Sequence, residues 1–414
     1  MTGDNLADLA DRARRLGIAD RYHGFWGKEE HVAPSVLERA IRAMGDDAVD
    51  AAPPGLPAVH VVREGEAPVL RWSAHAGVAT TWRAVRDDGG AEVAAGDVQQ
   101  DNGELRIHLP ADLQPDYYRI TVDGIAEQHC LLVVAPRSCW VAPGLQGGER
   151  WWGCTVQLYA LRSSRNWGIG DFGDLRRLAD AAAHQGASFI GLNPLHALFP
   201  HNPAVASPYS PSSRRAFNPV YLDVQTLVDL GGCDEALERV QSEAFQDRLR
   251  ALRETEMVDY VGVAVAKEEV LRLLWRHFER NELNSDRSRG NHFLRYMQER
   301  QQSLGPHALF EAIQAHLHAA DPNVWGWPAW PDDLRDPQGA GAQAFAQEHA
   351  DEVRYRFWLQ WLCELQLEAC QRYAKTRGMG IGLYCDLAVG LNGGGSETWT
   401  ESELFALGMH AGAP

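Results

Sequence analysis

The chain has 414 residues, 45% of them hydrophobic, and a formal net charge of −17. That length exceeds one ordinary core and predicts two or three domains in a folded protein. The charge excludes nucleic acid and an anionic membrane as partners, since both need a basic surface; 14 Trp and 11 Tyr suit a neutral ligand with flat apolar faces.

No basic segment followed by an apolar run opens the chain, and no apolar run approaches the ~20 residues of a membrane span, so the sequence reads as cytoplasmic. The seven cysteines are scattered, with neither CxxC nor Cys/His zinc spacing. This predicts reduced thiols and no metal centre.

Residues 1–56 read as a helical segment and linker. Leu6, Leu9, Ala10, Ala13 and Leu16 recur at helical spacing, and Ser35 with Glu38 forms a capping-box pattern ahead of a second helix. Pro53-Pro54-Gly55 marks the linker from 46 to 57. Residues 57–140 read as a β-sandwich-like domain of short strands, with a turn at Asp87-Asp88-Gly89-Gly90 and clean alternation at Tyr118, Ile120 and Val122.

From 141 onward the pattern becomes α/β. Gly153–Leu161 and Gly186–Leu195 are strand-like and flank a helical run at Asp174–Ala183, which makes a βαβ unit and the start of a parallel sheet. A largely helical insertion spans about 225–376, with its clearest helices at Gly262–Arg280 and Asp351–Thr376; in the latter Val353, Phe357, Trp361 and Leu365 form one stripe. A third buried strand ends at Asp386.

In a parallel α/β sheet, functional groups sit at the C-terminal ends of strands and in the loops beyond them. The first such loop carries Gly168, Gly170 and Gly173, with Asp171 or Asp174 as the cap of the next helix; without GK[ST] it is no phosphate loop. The second holds Ser207-Pro208-Tyr209-Ser210-Pro211, whose prolines stiffen the backbone around Tyr209. The residues alone leave Tyr209 as either a sugar platform or a ring packed under its loop. Asp386 is either a functional carboxylate at a strand end or a loop cap. In the flexible Gly390–Trp399 run, Glu397 and Trp399 either face a ligand or serve as a solvated acid and a packed ring.

Ser207–Asp223, with Gly153–Leu161 and Gly380–Val389 on either side, resembles the amylomaltase family, the 4-alpha-glucanotransferases of the α-amylase clan. The resemblance implies an incomplete (β/α)8 TIM barrel over 141–414, consisting of the first three strands and the helical insertion. It implies no cofactor, and maltooligosaccharides or other α-1,4-glucans as partners. It marks Tyr209 as the ring stacked beside the scissile bond, Ser207 as its companion, Asp386 as an organising carboxylate that is not the nucleophile, and Trp399 as a glucan contact. The family's catalytic acids lie in an Arg-x-Asp-His run and after the next strand, with a His-Asp pair further on. Neither Arg-x-Asp-His nor His-Asp occurs in the chain. The expectation is therefore a glucanotransferase front part whose catalytic residues lie beyond Pro414, inactive by itself. The alternatives are a non-catalytic glucan-binding protein and an α-1,4-glucan hydrolase of the same clan.

Overall fold

The computed structural model describes residues 3–44, 56–73, 80–101, 104–124, 129–285 and 287–409. The chain divides into two compact units, Met1–Val141 and Ala142–Pro414. Most of the expected linker at 46–57 lies outside the described residues.

The first unit opens with α1 (Gly3–Arg15), the hairpin β1 (Arg21–His23) and β2 (Glu29–His31), and α2 (Pro34–Met44). Ala13, Leu37 and Ile41 form a small core between the helices. The expected Ser35 cap is corrected: α2 starts one residue earlier, at Pro34, with the Ala33 carbonyl accepting from Val36 and Leu37. Proline fits a first helical turn because its missing N–H has no partner there anyway.

The strands that follow are β3 (Val59–Arg63), β4 (Val69–Ser73), β5 (Thr81–Arg86), β6 (Glu92–Asp97), β7 (Gln99–Asp101), β8 (Glu104–His108), β9 (Asp116–Val122) and β10 (His129–Ala135). They form a five-stranded sheet ordered β3-β10-β9-β5-β6 and a three-stranded sheet ordered β4-β8-β7. Tyr118, Ile120, Val122, Cys130, Leu132 and Val134 alternate inward and share one core with Leu70, Trp72, Leu105 and Ile107 of the smaller sheet. Two sheets around one apolar layer make a sandwich.

The second unit begins with the short α3 (Pro143–Gln146), β11 (Gly153–Val156), α4 (Phe172–His184), β12 (Phe189–Leu192) and the two-stranded β13 (His196–Ala197) and β14 (Ser213–Phe217). Helices α5 (Val228–Gly232), α6 (Asp234–Gln241), α7 (Glu243–Glu254), α8 (Tyr260–Phe278), α9 (Ser288–Ala320), α10 (Ala340–Glu348) and α11 (Ala350–Thr376) come next. The unit ends with β15 (Gly382–Cys385) and α12 (Ser396–Thr400). β11, β12 and β15 form an open parallel sheet in that order, with Gly153 opposite Phe189 and Phe189 opposite Gly382. The described residues close no barrel.

Helix α11 is buried without interruption from Tyr355 to Cys363, with Arg356 and Gln360 enclosed among the apolar side chains. Trp358 and Trp361 pack there against Trp275, Phe278 and Phe293. Six tryptophans, Trp167, Trp275, Trp330, Trp358, Trp361 and Trp399, are wholly buried, so much of the Trp content fills core. All seven cysteines are free thiols. Among the described residues, no helix is long and apolar enough to cross a membrane.

Candidate functional site

The C-terminal ends of the three parallel strands lead into Gln157, Asn193 and Asp386. Each neighbouring strand holds the next by backbone bonds past its end: Asn193 N–H donates to Val156 O (3.3 Å) and Asp386 N–H to Leu192 O (3.3 Å). Asn193 also accepts from Leu158 N–H at 2.7 Å and donates to Tyr221 Oη at 3.2 Å, which fixes the turn after β11. Only one of these strand ends carries an acid, Asp386, and it is exposed.

The loop after β11 is held by charge. Asp171 and Asp174 make the expected capping box at the start of α4. Arg165 donates to Asp171 at 3.1 Å and to Asp223 at 2.5 Å. Burial pushes the Asp171 carboxyl up to about 6 despite Lys267 and Arg165 nearby. Lys267 is itself buried, donates to the Val220 and Leu222 carbonyls (2.5 and 2.7 Å), and is lowered by burial. Gly168 has φ +91°, and a Cβ there would lie 2.7 Å from Leu252 Cβ, so only glycine fits.

Tyr209 sits in a turn closed by Ser210 N–H donating to Ser207 O at 3.3 Å, with Pro208 at the position that pre-sets such turns. Its ring is 57% exposed. Ser207 is exposed on the same turn. The segment after β15 runs beside this loop. Ala388 N–H donates to His196 Nε2 (3.3 Å), Arg214 Nη1 to Val389 O (3.4 Å), and the Gly390 backbone passes the Tyr209 carbonyl. The structure thus places Tyr209 and Ser207 on one loop, and runs the chain from Asp386 to Gly390 along it. His196 is held below its ordinary value, first by burial and then by Arg214, while Asp386 and Glu397 act the other way. As a neutral ring it can accept the Ala388 N–H.

Two expectations about the Gly-rich run are corrected. The run is pinned: Asn392 N–H donates to Pro211 O (2.9 Å), Ser396 N–H to Ser212 Oγ (2.9 Å), and Glu397 N–H to Ser212 O (3.0 Å). At Gly395 a Cβ would stand 2.6 Å from Ser212 O, so the close approach itself demands glycine. Trp399 offers no face to a ligand. It is 0% exposed, packs against Phe310 and Trp330, and donates its indole N–H to Leu334 O at 3.1 Å. Glu397 is buried as well, with Oε2 accepting Arg214 N–H (2.8 Å) and Oε1 accepting Arg214 Nη2 (2.9 Å).

Sequence reasoning missed His196, Arg214, Arg165 and Lys267. The adjacent Arg214-Arg215 pair was visible in the sequence, but its carboxylate partners, Glu397 and Glu401, lie more than 180 residues away. Among the described residues, no group of three His, Cys, Asp or Glu is placed to hold a metal ion.

The profile of the 4-alpha-glucanotransferase family matches residues 156–414, well over half of the chain. The chain belongs to the 4-alpha-glucanotransferase family. The MalQ N-terminal beta sandwich domain matches residues 55–136. A 4-alpha-glucanotransferase of Haemophilus influenzae is 36% identical over 302 residues, which cover 72% of this chain and 43% of that protein. One from Mycobacterium tuberculosis is 34% identical over 452 residues, covering 98% of this chain and 58% of the relative. The chain thus spans about half the length of the curated relatives it matches. The crystal structure of amylomaltase from Corynebacterium glutamicum superposes with a TM-score of 0.73 at 26% identity, over 95% of this chain and 56% of that one.

Proposed function

We propose that this member of the 4-alpha-glucanotransferase family takes part in moving α-1,4-glucan segments between maltooligosaccharides, and that these 414 residues supply glucan-positioning groups without the catalytic carboxyl pair. The observation that carries this reading is Tyr209, a half-exposed ring on a proline-stiffened turn beside the segment that leaves Asp386. Such a ring stacks on the CH face of a sugar, and Ser207 and Asp386 are the polar groups best placed to bond its hydroxyls. Trp399 has no part in this contact.

Retaining transfer needs two carboxyl groups about 5–5.5 Å apart, one to protonate the leaving oxygen and one to form the glycosyl intermediate. An acceptor sugar then attacks that intermediate in place of water. Here the strand ends offer Asp386 alone, and the neighbouring Glu397 is occupied on both oxygens by Arg214. The absence of Arg-x-Asp-His and His-Asp from the sequence agrees with this. What favours transfer over hydrolysis is the family; the groups that would exclude water from an intermediate are not among those described.

The test uses the purified chain. With maltotriose it is expected to release no glucose, and with maltoheptaose to bind weakly by isothermal titration, with that binding lost in Tyr209→Ala. Glucose release at a steady rate would show that a catalytic pair is present after all. Equal binding by Tyr209→Ala would reduce the ring to packing.

A further inference from the structure

The antiparallel pair β13–β14 is irregular. His196 lies opposite Phe217 and Ala197 opposite Ser213, so the register shifts and Arg214–Ala216 have no partners across the ladder. Such a bulge leaves backbone donors without a ladder acceptor. The Arg214 N–H finds its acceptor in the Glu397 carboxylate, 183 positions further along the chain, and the Arg214 guanidinium takes the other oxygen. One residue therefore uses both faces of a carboxylate that is only 7% exposed. Charge-assisted bonds of this kind are the strong ones, and they fix direction as well as distance.

Glu397 is itself rigidly held. Its helix, α12, is anchored by Trp399 in the core and by Ser396 Oγ against His307 Nδ1 at 2.8 Å. From this anchor the path to Tyr209 is short and has few soft joints. Ser212 is fixed by Ala197 O, Glu397 N–H and Ser396 N–H, and Pro211 by Asn392 N–H. The turn from Ser207 to Ser210 then presents the ring. The backbone clamps at Ser212 set where this segment lies. The fork at Arg214 ties the bulge to the buried Glu397 carboxylate.

We propose that Glu397 is a positioning residue: through its fork with Arg214 it orients the loop that carries Tyr209 beside the segment that leaves β15, and glucan is held only in that orientation. The second half of this statement rests on the reading that Tyr209 is a sugar contact; the first does not. Removing the carboxylate leaves the Arg214 N–H without its acceptor and frees the bulge to rotate, while α12 keeps Trp399, Ser396 and its backbone clamps.

The experiment is 19F NMR of the whole chain labelled with 3-fluorotyrosine, with the Tyr209 signal among the 11 tyrosines assigned by its loss in Tyr209→Phe. In Glu397→Ala, which removes both acceptor oxygens, the Tyr209 signal is expected to move toward the free-tyrosine position and to sharpen, while the buried Tyr221 and Tyr355 signals stay in place. The shift that maltoheptaose causes in the Tyr209 signal is expected to vanish in the same variant. Arg214→Gln retains the backbone N–H for Glu397 and is expected to give an intermediate position. An unmoved Tyr209 signal in both variants would overturn the proposal. So would displacement of the Tyr221 and Tyr355 signals along with it, since Glu397 would then hold the fold and not the ring. If maltoheptaose moves no signal in the unsubstituted chain, the sugar reading falls, and the Tyr209 position in the two variants still decides the positioning role.

Discussion

Glu311, on α9, is a carboxyl group sealed in the interior with Oε2 unpartnered among the described residues. His201 Nε2 lies 4.0 Å from it, which meets the distance for an ion pair, yet burial holds both groups neutral: it pushes Glu311 up to about 8 and His201 well down. The charged groups acting on Glu311 are Arg356, which opposes its rise, and Glu268 and Glu352, which add to it. The unfolded chain loses this proton near 4.5, so between there and about 8 the native state binds one proton more than the unfolded state. Stability from this group is therefore complete below 4.5 and is lost as pH rises through about 8. His307, lowered to about 3 by burial, has the opposite sign, but its slope ends near its ordinary value of 6.5. Between pH 6.5 and 8 the Glu311 slope should stand alone among these three, at about 1.4 kcal/mol lost per pH unit. Urea unfolding of Glu311→Gln across that window is expected to lack this slope and to give a more stable protein at pH 8. A wild-type slope in the variant would assign it elsewhere. Glu311 stands between Leu309-Phe310 and Ala312-Ile313, so its apolar neighbours hint at burial while its charge argues against it; the sequence left Trp399 as a ligand face or a packed ring, and the structure packs it. An aromatic side chain announces apolar area but not which side of the surface it takes. The structure leaves Tyr209 exposed on its proline-flanked turn and buries Trp399.

At the scale of elements, the periodic segments were legible and the irregular ones were not. Tyr118, Ile120 and Val122 alternate in β9 as read, and the stripe from Val353 to Leu365 faces the main core. Local periodicity carries this information because one face of each element is buried. What it cannot carry is the use of polar side chains as substitutes for strands. Gln360 accepts from Phe217 N–H (2.7 Å) and donates to Phe217 O (2.9 Å), so one amide completes the edge of β14. Gln366, six residues on, does the same for Asp223. Gln360 lies in the buried run of α11, which also holds Arg356, and a Gln among mostly apolar residues there is the sign the sequence gives. Gln360→Ala would leave two backbone groups of Phe217 without partners, at a cost of about 2–4 kcal/mol in urea unfolding. Gln366 is only half-buried, so Gln366→Ala should cost less because water replaces the amide. Equal losses at the two positions would mean that helix propensity, not the backbone pairing, sets the effect.

For the whole molecule, the decisive feature is the open parallel sheet. β12 is paired on both sides, but β11 and β15 each have one partner among the described residues. Beside the β15 edge, Tyr384, Leu387 and Val389 are exposed, Val389 to 89%. Unpaired backbone next to exposed apolar side chains is a template for adding another strand, and natural sheets shield it with charge, proline or a covering helix. Here Asp386 is the only charge within the run 382–390. The chain at −17 resists nonspecific clumping, so association through this edge should be specific and favoured by salt, which screens the repulsion. Analytical ultracentrifugation of the purified chain is therefore expected to show reversible self-association that strengthens from low to moderate ionic strength. Leu387→Lys with Val389→Lys should shift it back to monomer without lowering the unfolding midpoint, because both side chains are already in solvent. Self-association unchanged by the double substitution would place the contact on another surface, with the Phe25 and Trp26 hairpin tip, 82% and 90% exposed, as the next one to alter.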